Sequence, residues 1–437
     1  MRVLVVLLVL LGALVVLAGA PTAAQPQTSG PATTLLWAFG GFNLQRTNFT
    51  PKPGGLTAPH VAWRLNFETT SSPASVSPPA AGDLEGDGQV ELIYGEGVRL
   101  VALERPWNRR RWDFSVMNIN GLILMTPAVV DVDGDRRAEV FFAPYQSGGA
   151  STFFRLNGRG QVVWSFQARA YASYASPAVV DLGGSGQFTV VFADTQGIVY
   201  ALDAATGRAR WSYAMGGSAD MNAAAVADLD RDGRQEIIIG NHGNGAIHAI
   251  DAEGRQRWVY NTGGSIYGIT VDDADGDGVV EIYAADWAGA VHALTPQGRL
   301  RWTYRTPGPV TSYNGLAVAD LDRDGTKEIV FGVQNGWVIG LSPAGRVLWQ
   351  FQRRGHISGS VIVGDFDRDG QLEVVAGSHN GFAYLIGPRG QPKWEHHLGG
   401  RLAYMGITAE DLDGDGLVEV LINNDEYLFG LSRPPAR

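Results

Sequence analysis

Cysteine is absent from all 437 residues, which excludes a disulfide framework, a thiolate metal site, a cysteine nucleophile and a lipid-attachment cysteine. Lysine is almost missing: Lys52, Lys327 and Lys393 are the only three among 34 basic residues. The net charge of −10 disfavours non-specific binding to nucleic acid, and no such partner is expected. No apolar run after the first 20 residues is long enough to span a bilayer. No metalloprotease helix, nucleophile elbow or phosphate-binding loop can be found.

What is abundant points to a turn-rich β protein. Glycine (58) and proline (21) are frequent, and the 45% hydrophobic content suits a packed core. The N-terminus reads as an export signal, residues 1–24: Arg2, an apolar stretch Val3–Leu17, then small residues. Cleavage is expected after Ala24, because Pro21 sits badly behind the other small-residue site, Ala18-Gly19-Ala20. The alternative is an uncleaved anchor through residues 3–19, the one membrane contact expected. Either way the mature chain is expected to be secreted, or periplasmic or otherwise extracellular, and monomeric.

The segment "ADLDRDGRQEIIIG" (227–240) returns almost unchanged as "ADLDRDGTKEIVFG" (319–332). Alignment along the chain gives eight copies, beginning at Asp83, Asp131, Asp181, Asp228, Asp273, Asp320, Asp365 and Asp411, 45–50 residues apart. A tryptophan keeps step: Trp63, Trp112, Trp164, Trp211, Trp258, Trp302, Trp349 and Trp394. Within one unit, "AAAVAD", "EIIIG", "AIHAID" and "RWVY" read as strands A to D, with short turns between them and no room for an ordinary helix. Four antiparallel strands in about 45 residues are the signature of a propeller blade, with the tryptophan filling the wedge between neighbours. The last unit ends at strand C, while "VAWRLNF" (61–67) precedes the first unit, so that stretch supplies the missing strand D. The fold class is therefore all-β: a single eight-bladed propeller over 61–437, closed by its N-terminal strand, after a lead-in segment at 25–60.

Each acidic turn follows D-x-D-x-D-G-x-x-E. Alternate carboxylates on a tight turn face one concavity, and hard oxygen donors at that density suit Ca²⁺. Five turns are complete: Asp228/Asp230/Asp232/Glu236, Asp273/Asp275/Asp277/Glu281, Asp320/Asp322/Asp324/Glu328, Asp365/Asp367/Asp369/Glu373 and Asp411/Asp413/Asp415/Glu419. The first has Glu85 at its third position, with Asp83, Asp87 and Glu91. The second keeps Asp131, Asp133, Asp135 and Glu139 but places Arg136 where glycine belongs. The third retains only Asp181 and is expected to hold no ion. Five to seven calcium sites follow. Without cations, clusters holding 29 of the 44 acidic residues would repel internally.

These turns, with "TPAVVDV" (126–132) and "SPAVVDL" (176–182), resemble FG-GAP/VCBS repeats, including those of integrin α-subunit propellers. The resemblance covers roughly 75–435 and implies Ca²⁺ in the turns between strands A and B, with a stabilising role. "ALDAATGRARW" (201–211) and "WAFGGFNLQRTNFTP" (37–51) are similar to quinoprotein-like propellers, some of which bind no cofactor.

If calcium holds the face of the A–B turns, the face of the B–C turns and D–A connections is left for recognition. It offers Tyr174, Tyr267, Tyr313 and Tyr404 near the channel, beside Met221 and Ser358. Its loops add Trp287, Trp337, His242, His356, His379 and Arg401. Aromatic residues with polar tips suit stacking on sugars or anchoring a peptide. The plainer reading makes the tyrosines a channel plug and the histidines surface polar groups. No catalytic set stands out. The reading adopted is a calcium-binding interaction module for a protein or glycan. The alternative is an exported polysaccharide-lyase-like enzyme on the same face, and quinone-dependent oxidation ranks third.

Overall fold

The computed structural model describes residues 43–58, 60–67, 77–119, 121–146, 149–172, 176–220, 222–310, 312, 315–357, 359–402, 406–424 and 426–433. The expected signal segment, residues 1–24, lies outside them. The described strands form eight four-stranded antiparallel sheets, with one additional two-stranded ribbon beside blade 2. Blade 4 is representative: strand A is Ala225–Ala227, B is Glu236–Gly240, C is Ala246–Ile250 and D is Gln256–Asn261. Strands A to C are buried throughout, whereas D alternates between half-buried and exposed residues. That gradient explains the composition. Buried inner strands draw on alanine, valine and isoleucine, and D obeys the two-residue period of a sheet with one wet face.

The ring closes as the sequence implies. Val61–Asn66 is strand D of the last blade and pairs antiparallel with Tyr427–Leu431, with Trp63 opposite Gly430. Closure removes two open sheet edges.

The repeated tryptophan works between blades. The indole Nε1–H of Trp112, Trp164, Trp211, Trp258 and Trp302 donates to a carbonyl in the C–D turn of the next blade, at 2.7–3.0 Å. The glycine of that turn lies against the indole face. A β-carbon on Gly160, Gly207, Gly254, Gly298, Gly345 or Gly390 would stand 2.6–2.8 Å from the ring of the preceding blade's tryptophan. These glycines also have φ of 70–82°, so both backbone shape and contact require the missing side chain. The Thr-Gly…Trp spacing in 201–211 is thus a blade-packing device.

The lead-in segment is the element the sequence left without a place. Residues 44–54 run along the inner edges of blades 4 to 7, where strand A would otherwise present unpaired N–H groups, and on to the acidic turn of blade 8. The N–H groups of Val226, Val271, Val318 and Val363 donate to the carbonyls of Leu44, Gln45, Thr47 and Asn48 at 2.8–2.9 Å, and that of Val418 donates to Pro53 at 2.9 Å. Arg46 is buried and its guanidinium donates to the carbonyls of Ala224 and Ser176. Trp394 donates to the carbonyl of Leu56, so the lead-in also replaces the C–D turn that blade 8 lacks.

Candidate functional sites

The acidic turn is built by two left-handed residues. In blade 4 these are Arg231 (φ 63°) and Gly233 (φ 85°), at the fourth and sixth positions. Blade 2 forces Arg136 into the same region at φ 71°, a conformation costly for a side-chain-bearing residue. The first aspartate organises the turn: Asp228 Oδ1 accepts from the N–H of Arg231 at 2.6 Å, and Oδ2 from that of Gly233 at 2.9 Å. The glutamate, at the start of strand B, is buried and accepts from the N–H of the second position. This contact recurs in seven blades, from Leu84 to Glu91 through Leu412 to Glu419, at 2.7–3.2 Å.

Carboxylate oxygens from the first, third and ninth positions come within 4.8 Å of one another in blades 2, 4, 5, 6 and 7. The fifth-position aspartate behaves differently. One oxygen of Asp87, Asp135, Asp232, Asp277, Asp324, Asp369 and Asp415 accepts from an N–H two residues on, which shapes the turn. Burial first, and then the neighbouring aspartates, push Glu91 and Glu328 up to about 7. Glu419 rises to about 7 for the same reasons. Asp365 Oδ1 and Asp411 Oδ1 are shielded from solvent without a hydrogen-bond partner. An all-oxygen donor set with unmet acceptors and strained carboxylates fits a hard divalent cation.

On the opposite face, Tyr174, Tyr313 and Tyr404, with Met221 and Ser358, lie outside the described residues. Tyr267 joins the B–C turns of two successive blades. Its hydroxyl is 3.0 Å from His242 Nε2, and its ring stacks on Trp287 with centroids 5.0 Å apart and planes at 29°. Trp287 is 41% exposed, so the group presents an aromatic surface with a polar pair behind it. His356 and His379 form a second group, with rings 5.6 Å apart at 15°. Trp337 is half-buried in the core between blades 5 and 6, and Arg401 is exposed beyond strand D of blade 7.

Sequence reasoning passed over the basic residue before the repeated tryptophan. Arg257 and Arg301 reach the third-position aspartate and the glutamate of their own blades, and Lys393 reaches Asp367, Asp369 and Glu373. The signal was present as Arg-Trp or Lys-Trp in five units.

Comparison with known proteins agrees with this architecture. The FG-GAP-like repeat family matches residues 228–284, 273–331 and 365–422, which contain all five complete turns. The family of the outer membrane protein assembly factor BamB matches 59–235. No curated protein matches the chain. Among solved structures, BamB from Moraxella catarrhalis is 16% identical, covering 87% of this chain and 99% of that one, with a TM-score of 0.59. A quinohemoprotein alcohol dehydrogenase from Pseudomonas putida HK5 is 12% identical, covering 92% and 82%, with a TM-score of 0.68. Sqt1 from Saccharomyces cerevisiae is 13% identical, covering 86% and 100%, with a TM-score of 0.61. At these identities the structural likeness shows the fold alone. The protein is an eight-bladed β-propeller. Residues 228–331 and 365–422 are similar to FG-GAP-like repeats, and residues 59–235 to BamB.

Proposed function

We propose that this is an exported, calcium-stabilised propeller that binds a protein or glycan on the face opposite its acidic turns. The observation that carries the reading is the joined group of His242, Tyr267 and Trp287, an exposed indole stacked on a tyrosine whose hydroxyl is held by a histidine. A preformed aromatic platform beside polar loop groups is what sugar stacking or peptide anchoring needs. Support for export comes from the N-terminal sequence and the likeness to an outer membrane assembly factor. Among the described residues no helix is long and apolar enough to cross a membrane. Support for calcium comes from the donor set of the turns and from the FG-GAP-like repeats.

The test is a glycan array and a crosslinking capture with the full chain, repeated with Trp287→Ala and Tyr267→Phe. Binding lost in Trp287→Ala at unchanged melting temperature supports the reading. Binding that is indifferent to both substitutions overturns the assignment of the face. Uronate-product absorbance in the same samples, lost in Tyr267→Phe, would replace the binding module with a lyase.

A further inference from the structure

The acidic turns share one carboxylate pattern, but the chain supplies their counter-charge unequally. In blade 2, Arg155 comes from strand C with its side chain 6% exposed. Its guanidinium lies 3.2 Å from Asp133 and 3.1 Å from Glu139. The same group donates to the carbonyls of Ala204 and Ala205 in the next blade, which fixes it inside the cluster. In blades 4, 5 and 7 the base comes from strand D, at the residue before the tryptophan. Arg257 pairs with Asp230 and lies 3.4 Å from Glu236. Arg301 pairs with Glu281 and lies 2.8 Å from Asp275. Lys393 lies 2.6–2.8 Å from three carboxylates.

Blades 6 and 8 break the pattern. The corresponding residues are Leu348, 52% exposed, and the exposed Ala62. Among the described residues, no basic group forms an ion pair with Asp320, Asp322 or Glu328. In blade 8, Arg105 and Arg433 reach only the outer aspartates, Asp413 and Asp415. Asp411 there is nine-tenths buried, and its Oδ1 has no hydrogen-bond partner, although Lys52 stands 3.7 Å from its Oδ2.

We propose that bases tethered in the chain sort the turns into three classes of metal site. Arg155 permanently replaces the ion in blade 2. Arg257, Arg301 and Lys393 compete with it in blades 4, 5 and 7. The turn of blade 6 has no such competitor and binds divalent cation most tightly, whereas blade 8 carries Lys52, Arg105 and Arg433 beside its aspartates. The inference rests on the metal reading above and adds an order of affinities to it. A cation already drawn into five clusters by the chain, Arg111 beside Glu85 in blade 1 being the fifth, shows that these positions attract positive charge. A covalently held cation has no translational entropy to lose, so it raises the concentration at which a free ion wins. A like charge a few ångströms from a divalent ion weakens binding by at least about tenfold even at the dielectric of water.

The experiment is calorimetric titration of the full chain with calcium chloride. Leu348→Arg, at an exposed position that tolerates a long side chain, should weaken the tightest site by about tenfold or more, or remove it. Lys393→Met should strengthen one of the weaker sites by a similar factor. Circular dichroism and melting curves in calcium establish that both variants are folded. A wild-type chain that binds calcium with affinities unchanged by either substitution overturns the sorting alone. A wild-type chain that binds no calcium overturns the metal reading and the sorting together.

Discussion

Blades 1–3 and blades 4–8 share four strands, an interblade tryptophan and one ring, yet different chemistry holds them. Blades 4–8 carry complete acidic turns, and the lead-in segment pairs with the inner edges of blades 4–7 and with the turn of blade 8. Blades 1–3 have altered turns, and aromatic packing takes a larger share. Phe153, fully buried, stacks on Phe192 at 4.3 Å, Phe142 stacks on Phe154 at 5.4 Å, and Phe192 on Tyr200 at 5.1 Å. In blade 2 the carboxylate cluster is neutralised, and in blade 3 it is emptied. Arg155 enters blade 2, and in blade 3 Thr189 stands where the glutamate would, hydrogen-bonded to Arg210. One repeat therefore tolerates two solutions to the same problem, provided that no carboxylate is left buried and unpaired.

The largest test of that contrast is metal removal. Each site saturated at a hundred times its dissociation constant adds about 2.7 kcal/mol, so a chelator should lower the melting temperature by roughly ten degrees or more. Calcium should restore it. Amide exchange should then accelerate in blades 4–8 more than in blades 1–3, and uniform acceleration would dissolve the distinction.

A core truncation probes the other half. Phe153→Ala should cost about 3–5 kcal/mol in denaturant unfolding, by the same amount with calcium or with chelator. A loss that depends strongly on calcium would show that the halves are coupled more tightly than their chemistry implies.

The pH dependence should reverse between the two metal states. In the metal-free chain Glu328, Glu373 and Glu419 hold their protons up to about 7, against 4.5 when unfolded. The folded state then binds more protons across that window, so its stability falls as pH rises from about 4.5 to 7. His248, which burial lowers to about 4, opposes the trend, but it is one group against several. With calcium bound the carboxylates stay ionised, and stability should instead fall as pH drops. Melting curves at pH 5 and 7.5, with calcium and with chelator, decide the matter.

The smallest effect concerns the face of the B–C turns. Tyr267→Phe removes one hydroxyl contact to His242 and should change stability by only about 1 kcal/mol. Equal loss of stability and of ligand binding would make Tyr267 part of the scaffold instead.

Much of this protein was legible in its sequence because a repeat announces itself eight times. Strand order, the acidic turns, the tryptophan and the closing strand all recur or complete a recurring unit. The joined group of His242, Tyr267 and Trp287 was legible only as separate members, since two turn residues and one strand residue from two blades share no spacing rule. Lys393 was visible beside Trp394, yet its contact with Glu373, 20 residues away, was not.

The sequence by itself determined the blade, its number and the chemistry of its corners, because local pattern and period are properties of order along the chain. Only the tertiary structure decided which base enters which cluster. It also placed the lead-in against four inner strand edges and gave blade 8 its substitute turn at Leu56. Those outcomes depend on groups as far apart as Leu56 and Trp394, 338 residues, or Pro53 and Val418 meeting at one point, and a ring brings its ends together in a way that no local spacing encodes.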